Sequence, residues 1–246
     1  MQNTLKSRLK DGKTTFGITI TIGSPEVPYA LGDLGLDWIN FDTQHSVLDS
    51  KMAADMIHAL GKSTSVPIVR VLSNDLGLIN KALDMGAQAV IVPLVNTRAD
   101  AEKAVRAAKY NPPGSRSFGS RVSLRDPDYT ATADNEIMII PQIESALALQ
   151  NVEEIVTTDG VEAVFCGPFD LSMSLGIFRQ FENSTFQRAI ELFVTACEAH
   201  DVAPGLLAPT GPIQRSIQQG FKLISLGGDQ SFLTQAIGEA LKTARQ

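Results

Sequence analysis

Residues 67–95 read PIVRVLSNDLGLINKALDMGAQAVIVPLV, and they hold one complete architectural unit. Pro67–Val71 is a short apolar run rich in β-branched residues, and Ala89–Val95 is another. Neither alternates polar with apolar residues, which is the pattern of parallel strands buried on both faces. Between them, Asn74 and Asp75 offer side-chain oxygens to a helix start, Ile79 and Leu83 share one face, and Gly86 marks the stop. Strand, helix and strand in this order form a right-handed βαβ unit with parallel strands.

The same unit recurs in both directions along the chain. Apolar runs at Thr15–Ile20, Trp38–Asp42, Ile137–Ile143, Val161–Cys166, Ala203–Leu207 and Lys222–Leu226 bring the predicted strands to eight. Helix punctuation fills the gaps. Asp49 and Ser50 precede Met52, Met56 and Leu60 on one face, with Gly61 behind them. Thr97 opens a helix carrying Ala101, Ala104, Val105 and Ala108, and Asn183-Ser184-Thr185 and Thr210-Gly211-Pro212 open two more. Eight βα units in 246 residues predict an α/β chain folded as one (β/α)8 TIM barrel domain over residues 1–246, near the usual size of about 250. The competing fold is an open doubly wound sheet, but no GxGxxG follows the first strand. The long connection 110–136 holds Pro112, Pro113, Gly114, Arg116, Arg121 and Arg125. It reads either as a substrate-covering lid or as a solvated, subunit-contacting excursion. A last helix is expected over 230–244, with an apolar stripe of Phe232, Leu233, Ala236, Ile237, Ala240 and Leu241.

Charge and composition narrow the partners. Lys and Arg number 21 against 27 Asp and Glu, and a net charge of −6 argues against nucleic acid, which calls for clustered cations. No run approaches the roughly 20 apolar residues of a membrane span. The start, MQNTLKSRLK, lacks the apolar core of a signal peptide. The expectation is a cytoplasmic protein that engages neither membrane nor nucleic acid. Cys166 and Cys197 form no CxxC or zinc pattern and read as core residues.

A barrel of this kind carries its active site at the C-terminal ends of the strands. Asp42 and His45 follow the second predicted strand, Arg70 lies at the end of the third, Glu144 follows the fifth, and Gly167-Pro168-Phe169-Asp170 follows the sixth. Glu144 and Asp170 come from neighbouring strands and suit a hard divalent cation such as Mg2+ or Mn2+. An ion pair among strand-end charges is the plainer alternative. Arg70 can stabilise a substrate oxygen or pair with Glu144 or Asp170. His45 can exchange protons near neutral pH, and Asp42 can either fix its tautomer or cap the loop. His58 and His200 fall on helices and read as structural. No lysine stands at a C-terminal strand end, which argues against an imine mechanism.

Together these residues resemble the HpcH/HpaI family of class II, metal-dependent pyruvate aldolases. The resemblance runs over nearly the whole chain, through GLDWINFDTQHS, PIVRV, ALDMGAQAVIVPLV, YNPPGSRSFG, PQIES, VFCGPFDLS and ISLGGDQ. It implies a divalent metal (Mg2+, Mn2+ or Co2+) on Glu144 and Asp170, no organic cofactor, and a 2-oxo acid chelating the metal. It implies that Arg70 contacts the ketone oxygen and that His45, with Asp42 and Asp84 nearby, handles protons. The N–H groups of Phe169 and Asp170 would take the carboxylate, and Gln142 would line the pocket. Members commonly form homo-oligomers, here expected as a hexamer (a trimer of dimers), often with C-terminal helices exchanged between subunits. The stripe from Phe232 to Leu241 is consistent with exchange, barrel packing being the simpler cause. Two departures stand out: Gln44 precedes the histidine where many relatives carry an acid, and Asn111 separates Tyr110 from Pro112.

The reaction implied is reversible aldol cleavage of a 4-hydroxy-2-oxo acid to pyruvate, or a related 2-oxo acid, and an aldehyde. Two other readings stay open: an enolate lyase or decarboxylase acting on oxaloacetate or an acyl-CoA, and a non-catalytic 2-oxo acid binder. The intact set of Asp42, His45, Arg70, Glu144 and Asp170 argues against the last. The three arginines of the 110–136 connection point to an anionic acceptor.

Overall fold

The computed structural model describes residues 2–119, 122–124 and 126–246. Eight strands close into a parallel barrel in chain order, each paired with the next and the last with the first. They are β1 (Thr15–Ile20), β2 (Trp38–Asp42), β3 (Val66–Arg70), β4 (Ala89–Val92), β5 (Met138–Ile143), β6 (Ala163–Cys166), β7 (Ala203–Leu206) and β8 (Leu223–Gly228). Among the described residues the helices are α1 (Thr4–Lys10), α2 (Glu26–Leu31), α3 (Ser50–Ala59), α4 (Leu76–Asp84), α5 (Arg98–Ala108), α6 (Tyr129–Glu136), α7 (Ala146–Gln150), α8 (Val152–Val156), α9 (Pro168–Ser174), α10 (Ser184–Ala199), α11 (Ile213–Gln218) and α12 (Asp229–Ala244).

The helix starts use the capping chemistry expected of them. Asp49 accepts from the Met52 N–H, Asp75 from Gly77 and Leu78, and Asn183 from Thr185. Thr97 and Asp100 form a reciprocal capping box. Strand boundaries move by a few residues. The strand expected to reach Val95 stops at Val92, because the chain turns there and Leu94 takes a left-handed φ of 55°. The eighth strand runs past Leu226 to Gly228.

Two apolar layers hold the barrel. The inner one gathers Trp38, Ile68, Ala89, Ile91, Met138, Ile140, Ala163, Phe165, Ala203 and Leu223, with Leu5 and Leu9 of α1. Trp38 meets Phe165 edge to face, with centroids 5.8 Å apart. Glycines make room for these rings: a Cβ on Gly17 would lie 2.1 Å from the Trp38 ring, and one on Gly205 would lie 2.6 Å from Phe165. Gly17→Ala therefore overpacks a rigid interior and should cost about 3 kcal/mol or more. A fall in the urea midpoint with unchanged slope would show it; an unshifted midpoint would refute it. The outer layer packs the other strand faces against the helices and includes Cys166 and Cys197. Burial pushes both thiols far above the ordinary cysteine range, so neither serves as a nucleophile.

The described part of the 110–136 connection is largely structured. It contains a 3-10 turn (Val122–Leu124) and α6. Arg116 is buried, hydrogen-bonds the Tyr129 hydroxyl at 3.0 Å, pairs with Asp84 at 3.3 Å, and stacks 4.7 Å from the Tyr110 ring. It is thus a packing element rather than a cation offered to an acceptor; Arg121 and Arg125 lie outside the described residues. The C-terminal helix departs from the barrel-packing expectation. On α12 Phe232, Leu233, Ile237 and Leu241 remain 43–54% exposed, so the apolar stripe is not covered by this chain.

Candidate active site

The inward positions of the strands change character toward their C-terminal ends. Below lie Trp38, Ile68 and Ile140; two residues further along the same strands come Asn40, Arg70 and Gln142. The chemistry is concentrated toward these C-terminal ends.

Asp42 and Arg70 are register partners on β2 and β3. Arg70 donates to Asp42 through Nε at 2.9 Å and Nη2 at 2.5 Å, a two-point fork. Asp42 Oδ1 also accepts the N–H groups of Gln44 (2.9 Å) and His45 (3.2 Å). Burial alone would raise the Asp42 pKa, but Arg70 and the two N–H donors outweigh it and hold the carboxyl below its ordinary range. Of the alternatives read from sequence, Asp42 caps the loop through the His45 backbone, and Arg70 pairs with Asp42 rather than with Glu144 or Asp170. The His45 side chain stands exposed at the rim of the cavity.

Glu144 lies one residue beyond β5 and is almost fully buried. Its Oε1 accepts the Leu94 N–H at 2.7 Å and its Oε2 accepts Gln142 Nε2 at 2.5 Å. The left-handed backbone of Leu94 is what aims that N–H, a conformation that costs roughly 1–2 kcal/mol for a non-glycine residue. Burial pushes Glu144 above the ordinary carboxylate range; the Leu94 N–H opposes that and the charge of Asp170 adds to it. Asp170 sits exposed in the first turn of α9, which Gly167 and Pro168 open. A Cβ on Gly167 would fall 2.8 Å from both Gln142 Nε2 and Glu144 Cβ, so the glycine lets the β6 turn close over the carboxylate. Phe169 is clamped edge to face by Phe181 at 5.4 Å.

A cavity of about 810 Å³ opens at this end of the barrel, bordered by Thr19, Thr21, Asp42, His45, Arg70, Gln142, Phe169 and Asp170, and by Ser231, Phe232 and Gln235 of α12. Glu144 lies just behind that wall, against Gln142. Asp84 is not brought to this group within the chain: it ends α4 and pairs with Arg116. Sequence reasoning missed Thr19, Asn40 and Asp229. Thr19 stands two residues after Gly17, hence inward, and Asn40 is a polar residue on the same face of WINFD as Trp38 and Asp42; period two would have flagged both. Asp229 begins α12 and takes the Thr21 and Ile22 N–H groups and the Thr21 hydroxyl, latching the helix to the end of β1.

The donor set fits one kind of metal ion. Among the described residues no group of three or more His, Cys, Asp and Glu side chains forms a closed site. Two neighbouring carboxylates remain, with the buried Gln142 Oε1 beside them unpartnered. Burial first, and the charge of Asp170 in addition, hold Glu144 up, and a hard cation between the two carboxylates would offset both while keeping other positions for water and substrate oxygens. Among the described residues no His or Cys cluster offers a tetrahedral zinc site.

Comparison with known proteins agrees with this picture. A family model described as HpcH/HpaI aldolase/citrate lyase matches residues 24–236. The chain is 35% identical over 237 residues to a hydroxypyruvate/pyruvate aldolase of Roseobacter denitrificans, covering 94% of this chain and 93% of that one. It is 32% identical over 247 residues to a 4-hydroxy-2-oxo-heptane-1,7-dioate aldolase of Shigella flexneri, covering 98% and 92%. A crystal structure of an HpcH/HpaI aldolase/citrate lyase family protein from Burkholderia cenocepacia superposes with a TM-score of 0.94 at 31% identity over 100% of both chains.

Proposed function

The chain belongs to the HpcH/HpaI aldolase/citrate lyase family, and from that premise we propose how its residues carry out the work of a class II pyruvate aldolase. The enzyme is a carbon–carbon lyase, and the reaction is reversible cleavage of a 4-hydroxy-2-oxo acid to pyruvate, or a related 2-oxo acid, and an aldehyde. One observation carries the assignment of roles: the Asp42–Arg70 fork faces the same cavity as Asp170, with Glu144 behind its wall.

Glu144 and Asp170 would hold the divalent ion, Mg2+, Mn2+ or Co2+. When bound, it supplies Lewis acidity toward a substrate oxygen, worth several kcal/mol. The 2-oxo acid lies between β3 and β6. Its carboxylate takes the N–H groups of Phe169 and Asp170, which have no partners within the helix; Pro168 has none to give. Arg70, fixed by Asp42, reaches the ketone oxygen. In cleavage His45, through water, accepts the proton of the C4 hydroxyl. The C3–C4 bond breaks, its electrons pass to the enolate oxygen beside Arg70, and the aldehyde departs. C3 then takes a proton to give the methyl group of pyruvate. Gln142 steadies Glu144 and leaves one amide oxygen toward the site.

Oligomerisation fits the uncovered stripe of α12, and a hexamer with exchanged C-terminal helices would bury it. No described helix is long and apolar enough to cross a membrane, and a cytoplasmic setting suits the chemistry. The test of the activity is exchange of pyruvate methyl protons for deuterium, followed by NMR. Exchange that stops with EDTA and returns with Mg2+, Mn2+ or Co2+ is the expected result. A folded protein that exchanges nothing under any metal would refute it.

A further inference from the structure

Thr19 and Asn40 are register partners on β1 and β2, and Asn40 in turn pairs with Ile68 of β3. They sit one inward layer below the Asp42–Arg70 pair. In the closed order of strands, β1 and β2 stand across the barrel from β5 and β6, where Glu144 and Asp170 are. The Asn40 side chain is fully buried, its Nδ2 donates to Thr19 Oγ1 at 3.2 Å, and its Oδ1 has no partner. An amide placed in a barrel interior with one atom unsatisfied works against stability. Its evident effect is on Thr19. By filling a lone pair of that hydroxyl, Asn40 turns the Thr19 proton away from itself, and Thr19 borders the cavity. Thr21, also at the cavity wall, has its hydroxyl committed to Asp229 at 2.8 Å. Among the described residues lining the cavity, Arg70 is the lone Lys or Arg, and Asp42 already holds it.

We infer that Thr19, positioned by Asn40, is the acceptor-side contact that selects a neutral aldehyde bearing a hydroxyl next to its carbonyl. The inference rests on the aldolase reading. With the 2-oxo acid between β3 and β6, the part of the substrate that reaches β1 is the aldehyde end. Thr19 donates to the hydroxyl oxygen of that end. A semialdehyde would instead place its distal carboxylate against Thr19, Leu226 and Ile213, where no described cation meets it. Such a preference would set this chain apart from a relative named for a 1,7-dioate substrate.

The experiment uses the metal-loaded full chain and measures kcat/KM for addition of pyruvate to glycolaldehyde, propionaldehyde and succinic semialdehyde. Glycolaldehyde and propionaldehyde differ by a hydroxyl in place of a methyl. Wild type is expected to favour glycolaldehyde over propionaldehyde by on the order of tenfold or more. Thr19→Val should collapse that ratio, Thr19→Ser should keep it, and Asn40→Leu should shrink it. A ratio between two acceptors on one enzyme cancels any general loss from misfolding. A wild-type ratio near one, a ratio that Thr19→Val leaves intact, or a preference for succinic semialdehyde would each overturn the inference. Pyruvate methyl exchange, run on the same samples, separates the cases: its absence in wild type defeats the aldolase reading itself, whereas its presence with a flat acceptor ratio defeats the acceptor contact alone.

Discussion

Arg70→Ala should lower kcat by on the order of 10²-fold or more, the loss typical of one preorganised oxyanion donor. It should also destabilise the fold, because Asp42 is left buried with its main counter-charge gone; breaking such a pair costs about 3–5 kcal/mol. The two effects can be told apart. Arg70→Lys keeps a positive charge near Asp42 but loses the planar fork, so it should recover stability better than turnover. The pH dependence gives a further check. Asp42 is held below its ordinary pKa in the fold, so its contribution to stability is complete above the unfolded value, about 3.9. It is lost as pH falls through the lower, folded value. Wild type should lose that increment on acidification below about pH 4, and Arg70→Ala should lose much less over the same range. Near-wild-type kcat in Arg70→Ala would remove the residue from the mechanism.

Gly167→Ala should cost activity on a similar scale for a purely steric reason. Gly167 has φ −92°, a backbone any residue can adopt, so alanine meets no conformational penalty there. Its methyl group would instead lie 2.8 Å from the Glu144 Cβ and the Gln142 amide, and one of them must move. Displacing a reacting geometry by about 1 Å can cost 10²-fold in rate. Disturbing the partners that orient a metal ligand typically weakens metal affinity by about 10–100-fold. The measurement is apparent Mn2+ affinity by titrating the apo protein, alongside kcat at saturating metal. Unchanged affinity and unchanged kcat would mean that the turn relaxes without moving Glu144.

Much of this molecule can be read from residue order, and the limits of that reading are physical. The barrel follows from continuous apolar strands, because only a sheet covered on both faces tolerates eight of them. Helix starts at Asp49, Asp75, Thr97 and Asn183 were legible because capping is local chemistry. The convergence of Asp42, Arg70 and Asp170 on one cavity followed from topology, with Glu144 just behind its wall. Pairing was harder. That Arg70 joins Asp42 rather than Glu144 depends on strand register, which no short motif encodes. Asp84 was expected near His45 yet pairs with Arg116 at the outer end of α4. The Leu94 N–H on Glu144 was hidden, since it depends on a backbone angle at a residue type that rarely adopts it.

The latch at Asp229 bears on how such an enzyme changes over generations. That carboxylate ties the base of α12 to the end of β1, and the same helix presents Ser231 and Gln235 to the cavity and its apolar stripe to the outside. A mutation that shifts α12 at this latch therefore moves the stripe and the cavity wall together. The cavity wall and the exposed stripe are thus inherited as one trait, and selection on either drags the other with it.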